Sequence, residues 1–346
     1  MAFKSLLRFF RNVANTARNP RIAVKRPRRA RCVVCMHPCG RICGSREVLF
    51  VTAFEETGRS AFARYKRSSD NYRASFRALA AALYSYGHPL VAYDDTTLTG
   101  LPANTVMLPV ANVSTFTARY AQREQEIMSA ARYRRDVAKG GRHRTVLPEH
   151  TSSRYNLANH DKVIFVADAA RRFPAHTHVC WIDYGFRDAS NIPRDIDLSR
   201  LPRARVLYQT PVPVSTGWND PSQRHSPRHM LASYKVFVVG TIWVVPSGLA
   251  AAYAHLYEEE LREWLHKIGV SDDDQALVYQ LQFRHPWLFD WFEDATFGTL
   301  FRRHLNSQRQ RAMPVLPAWP SVVIENERKA RHFKGPDNVG SSRTRG

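Results

Sequence analysis

The sequence predicts an α/β domain, a mostly parallel sheet flanked by helices, with a basic extension at each end. Two observations predict it. Residues 48–93 read as strand, helix and strand in succession, the unit of a parallel sheet joined by right-handed crossovers. The run Val179-Cys-Trp-Ile182 is apolar on both faces, as a strand covered on both sides must be, and it stops abruptly at Asp183 and Gly185.

The elements follow in order. Val48 to Phe54 is rich in β-branched and aromatic residues and reads as the first strand. Glu55 to Ser60, with Gly58 and Arg59, is the loop after it. Asn71 to Ser85 places Tyr72, Phe76, Leu79, Ala80 and Leu83 on one face of a helix that Gly87 ends. Pro89 to Tyr93 is the next strand and closes on Asp94-Asp95, and Asn104 to Leu108 is another. Phe116 to Arg135 and Asn156 to Phe173 read as helices, the second stopped by Pro174. After the Val179–Asp183 strand, residues 187–232 are rich in Pro, Arg and Ser, with a short strand near Ala204–Tyr208. Val236 to Val245 is apolar on both faces and interrupted by Gly240, which marks a bulge or a close backbone approach to a ligand. Gly248 to Ile268 reads as a helix, Asp272-Asp-Asp-Gln275 opens another through Phe283, and Pro286 to Phe292 is aromatic.

Composition sets the limits. A chain of 346 residues holds one large α/β domain or two small ones. Its 44% hydrophobic content and 7 Trp exclude a disordered chain. No apolar stretch reaches the ~18–20 residues of a membrane span. The formal net charge of +21 is uneven: residues 1–46 hold 12 basic residues and no acid, and residues 302–346 hold 10 basic residues and 3 acids. Residues 47–301 are left near neutral, at +2. The chain therefore reads as an N-terminal extension (1–46), a domain (47–301) and a C-terminal tail (302–346). A near-neutral domain is not built to follow a phosphate backbone. The basic ends suit solvated tails, and they also suit binding to anionic lipid or nucleic acid.

Met1 to Ala17 spaces Phe3, Leu6, Leu7, Phe10 and Val13 as a helix does, beside Lys4, Arg8 and Arg11. That pattern fits a basic helix on an anionic membrane surface. Its Arg-rich, acid-free composition is also that of a transit peptide, and the continuous apolar core of a secretory signal is missing. A cytoplasmic or membrane-peripheral location is expected. Without such a signal, Asn112-Val-Ser114 is read as a chance glycosylation sequon. Cys32, Cys35, Cys39 and Cys43 are close enough in sequence to bind zinc or an iron–sulfur cluster, but their spacing matches neither common pattern. Two disulfides or reduced thiols fit as well, and Cys180 reads as a core residue.

Candidate chemistry gathers at strand ends, where open α/β sheets form their ligand crevice. Thr52 to Arg59 offers donors after the first strand. Asp94 and Asp95 are placed for a base or ribose contact, or as solvated turn acids. Asp183 can hold a divalent cation that in turn holds a diphosphate, or can cap the next turn. Asp272, Asp273, Asp274 and Gln275 open a helix, where acids are favoured by capping and the macrodipole. Three acids in a row exceed what a cap needs. His178, His225, His229 and His285 are candidate further metal ligands, or packing histidines.

The ordered set of segments resembles the HtrL/YibB (WlaTC/HtrL) family of GT-A-type glycosyltransferases. The resemblance lies in Phe50-Val-Thr-Ala-Phe54 with Arg59, Pro89-Leu-Val-Ala-Tyr-Asp94, and Tyr155-Asn156 with Lys162. It continues through Trp181-Ile-Asp-Tyr-Gly185, Gly240, the helix around Tyr257, Asp274-Gln275 and Pro286-Trp-Leu-Phe289. It covers roughly residues 47–292. It implies a GT-A-like, Rossmann-like fold, a nucleotide-sugar donor, a glycan or protein acceptor, and Mn²⁺ or Mg²⁺. Thr52, Arg59, Asp94, Lys162, Asp183 and Gly240 would face the donor, with Lys162 or Arg59 neutralising the diphosphate. Asp183 would stand in a metal-binding DxD motif whose second acid is here Gly185. Asp273, Asp274 and Gln275 would face the sugar, either aspartate serving as base. Two other readings stand beside this one: a nucleic-acid-binding protein acting through its basic tails and Cys cluster, and a catalytically degenerate transferase fold used for interaction.

Overall fold

The computed structural model describes residues 48–62, 67–141, 143–186, 189, 192–232, 236–294 and 300. The chain divides into two units, 1–307 and 308–346, and every described residue belongs to the first. The readings of the N-terminal helix, of Cys32, Cys35, Cys39 and Cys43, and of the C-terminal tail lie outside the described residues.

Seven strands form one sheet: β1 (Val48–Ala53), β2 (Leu90–Tyr93), β3 (Thr105–Leu108), β4 (His178–Ile182), β5 (Val206–Thr210), β6 (Val239–Pro246) and β7 (Phe289–Glu293). Their order is β3-β2-β1-β4-β6-β5-β7. The pairs β1/β2, β1/β4, β2/β3 and β5/β7 are parallel. Only β6 runs against its neighbours β4 and β5. The fold is thus the expected mixed α/β class, a mostly parallel sheet flanked by helices. The reversed β6 and the strand β7 in the aromatic segment are additions to the sequence reading.

Alternation along the strands makes two cores. Leu49, Val51, Val91, Tyr93, Val179, Trp181, Trp243 and Val245 face one side and pack in the larger one. Val48, Phe50, Leu90, Ala92, Cys180, Ile182 and Val244 face the other, against Phe76, Leu79, Ala80 and Leu83 of helix α1 (Ser69–Ser85). This double burial is why the strands read as continuous apolar runs.

The long helices break where side chains are needed elsewhere. The expected helix over 116–135 is two, α2 (Phe116–Ser129) and α3 (Ala131–Lys139), because Ala130 takes an extended backbone at ψ 138. The expected helix over 156–173 is also two, α4 (Ser153–His160) and α5 (Lys162–Arg172). Asp161 stands between them. Its carboxylate accepts from the backbone N–H groups of Phe116 and Thr117 and so caps α2. On the far side of the sequence come α6 (Ser247–Arg262), continued by a wider turn over Glu263–Ile268, and α7 (Asp274–Arg284). Among the described residues no helix is long and apolar enough to cross a membrane.

Candidate active site

Parallel β1 and β4 end side by side, and β6, running the other way, begins there. Ile182 pairs with Ile242, and the Asp183 N–H donates to Thr241 O at 3.0 Å. The ends of β1 and β4 and the start of β6 therefore share one edge. The N-termini of α5 and α7 reach the same edge and bring their positive dipole ends. Between them lies a cavity of about 400 Å³.

Lys162 is the first residue of α5 and is buried. Its Nζ lies 2.9 Å from Asp274 Oδ2, 3.4 Å from Asp183 Oδ1 and 3.3 Å from Gly240 O. Burial alone would lower its pKa, but Asp183 and Asp274 outweigh that and hold it above the ordinary lysine value. The contact with Asp274 explains Gly240. A Cβ at that position would run into the Asp274 carboxylate, so only glycine lets the strand pass. The pairing of β5 with β6 slips between Tyr208 and Gln209, so the irregularity expected at Gly240 is present beside it. The close approach is to a side chain of the protein itself.

Asp183 is partly exposed to the cavity. Its Oδ1 also accepts from Trp181 Nε1 at 2.8 Å. Burial raises its carboxyl and Lys162 pulls it back, the net direction being upward. Asp273 caps α7: its carboxylate accepts from the Gln275 N–H at 3.1 Å and from Gln275 Nε2 at 3.2 Å. Burial raises the Asp273 carboxyl, and the neighbouring Asp274 and Asp272 raise it further. Lys162, Asp183, Gly240, Asp273 and Gln275 all line the cavity. Asp274 is turned away onto Lys162 and serves as its counter-ion.

The other candidates lie apart. Asp94 is buried and committed, accepting from Thr96 N and Oγ1 and, at 2.8 Å, from the Tyr184 hydroxyl. Asp95 accepts from the Ala111 N–H at 3.3 Å. Thr52 is fully buried beneath the cavity floor. Arg59 lies in a short turn after β1, and its side chain is outside the described residues. Among the described residues that line the cavity there is no histidine: His178 bonds Pro202 O, His225 and His229 stack on each other at 4.5 Å, and His285 ends α7.

Several lining residues were not among the site residues named from the sequence. Glu55, in the loop after β1, is pushed up to about 8 by burial and by Asp161, against Arg154. Tyr72 from α1 and Arg67 just ahead of it close one side, with the Arg67 guanidinium 4.2 Å from the Tyr72 ring centre. Phe54, Tyr184 and Phe186 make that side aromatic. Among the described residues, Glu55 Oε2, Thr241 Oγ1 and Gln275 Oε1 are buried without a hydrogen-bond partner. Such atoms call for a ligand or water.

A divalent cation needs a set of hard oxygen ligands. Asp183 Oδ1 already faces an ammonium, and no three His, Cys, Asp or Glu side chains among the described residues gather into a set that could hold a metal ion. A second acid at position 185 has no room, since a Cβ there would run into Arg67 Nη1 and the Tyr72 ring. This donor set suits Lys162 and does not fit a divalent metal.

Residues 46–304 match the model described as "Bacterial protein of unknown function (HtrL_YibB)". The chain belongs to this HtrL_YibB family. No curated protein matches it. Among solved structures, the "crystal structure of a glycosyltransferase involved in the glycosylation of the major capsid of PBCV-1" aligns at a TM-score of 0.34 and 8% identity, over 71% of this chain and 82% of that one.

Proposed function

We propose that this chain is a glycosyltransferase that moves a sugar from a nucleotide-sugar donor to a hydroxyl of a glycan or protein. One observation carries the reading. A buried lysine, two helix N-termini and a helix-capping acid–amide pair converge on one cavity at the ends of β1 and β4. Helix N-termini favour bound phosphate. The aromatic side, with Phe54 and Tyr72, offers faces on which a nucleobase can stack.

In this reading the donor lies with its base toward the aromatic side and its sugar toward Asp273 and Gln275. Asp273 accepts the proton of the attacking hydroxyl. Its raised pKa makes it a stronger base, and it reaches the cavity because it caps α7. Gln275 orients the sugar through the Oε1 that lacks a protein partner. Asp274 keeps Lys162 charged.

The test is a thermal-shift and turnover screen of the full chain against UDP-, GDP- and CMP-sugars. Asp273→Asn is expected to keep donor binding and lose about 10²–10⁴-fold in kcat. A folded protein that binds none of these donors would sink the reading. Full turnover by Asp273→Asn would remove Asp273 as the base.

A further inference from the structure

Resting on that transferase reading, we infer that the donor's diphosphate is held by Lys162 and Arg67 in place of a divalent cation. Both cations line the one cavity. On the β4 side, the backbone turns at Asp183-Tyr-Gly185. The Lys162 ammonium sits 3.4 Å from the Asp183 carboxylate. Two residues later the Arg67 guanidinium is packed over Gly185, where an added Cβ would meet its Nη1 and the Tyr72 ring and displace them. A second acid at 185 would add negative charge; this chain has an arginine at that spot.

Arg67 is also built in. Its Nη2 donates to Ser75 Oγ at 2.6 Å, in the second turn of α1, and its guanidinium lies over the Tyr72 ring. A planar guanidinium held from two sides is pre-organised to bind phosphate oxygens with paired N–H groups. Lys162 is fixed equally by Asp274 and by Gly240 O. Two fixed cations can offset the charge that builds on a departing nucleoside diphosphate, with no metal ligand set.

Titration calorimetry of the full chain with UDP and with GDP, in EDTA and then with Mn²⁺, decides it. Binding of one of them in EDTA, unchanged by Mn²⁺, is expected. Arg67→Gln, which leaves the Lys162 cluster intact, is expected to weaken that binding about 10-fold or more, as loss of a hydrogen bond to a charged group does. Binding that requires Mn²⁺ and disappears in Asp183→Asn would overturn the inference while leaving the transferase reading in place. Arg67→Gln binding as tightly as the parent in EDTA would remove Arg67 from the site and overturn the inference as stated. No binding of either probe under any condition would overturn the inference, and the transferase reading would fall with it only if the CMP-sugars of the donor screen also fail to bind.

Discussion

Two groups of buried charge stand a few residues apart and behave differently. At the cavity, Asp183 and Asp274 share the Lys162 ammonium. Behind it, Glu124, Asp161 and Asp272 are just as enclosed, but no lysine or arginine forms an ion pair with them among the described residues. Glu124 accepts from Ser271 Oγ at 2.5 Å, and that hydroxyl accepts in turn from Asn156 Nδ2 at 2.8 Å. Asp161 is spent on the α2 cap, and Asp272 Oδ1 takes the Asp273 N–H at 3.0 Å. Burial pushes Glu124 up to about 8, and Asp161 and Asp272 each to about 7. A cation is paired with the first group. Hydrogen bonds alone leave the second group to titrate near neutral pH.

The sharpest break of this contrast removes the cation. Lys162→Met leaves Asp274 buried without a counter-ion, and a loss of about 3–5 kcal/mol in urea unfolding is expected. Adding Asp274→Asn should restore much of that loss, since the uncompensated charge then disappears. A Lys162→Met protein as stable as the parent would mean that the cluster does not matter to the fold.

The second group should show itself through pH. Each of its carboxyls has a higher pKa folded than unfolded, so its contribution is fully present below the unfolded value of about 4. It is lost as pH rises through about 7 to 8. Relative to the parent, Glu124→Gln should gain stability between pH 5 and pH 8, on the order of a few kcal/mol, and little below pH 4. Parallel curves for the two proteins would show that Glu124 stays unshifted.

Gly240→Ala probes the same cluster more gently. The added methyl must displace the Asp274 carboxylate or the strand, and a cost of about 1–3 kcal/mol is expected by denaturation. A neutral outcome would mean that the strand has room to give.

Much of this was legible in the chain. β1, β2 and β4 announced themselves by apolar runs, and Asp183 by ending one of them. The Asp273 cap could be read because N-capping is local: the acid and the N–H groups it accepts lie within a turn. What sequence could not supply was long-range. Asp161 looks like a mid-helix acid until Phe116 and Thr117, some 45 residues earlier, come to its carboxylate. The reversal of β6 leaves no mark, because a strand buried on both faces reads the same in either direction. Arg67 carries no local pattern, and its role depends on Gly185, which α1 brings near. Asp94 reads like a ligand for a ribose, yet the fold gives its carboxylate to Tyr184 and Thr96.

The capping of α7 has a consequence for how this protein can change. Asp273 starts the helix and also faces the cavity, so one carboxylate answers to two demands. A substitution by a residue that cannot cap also frays the first turn of α7, which carries Asp274 and Gln275. Variation in chemistry at this spot is thereby tied to the integrity of the scaffold.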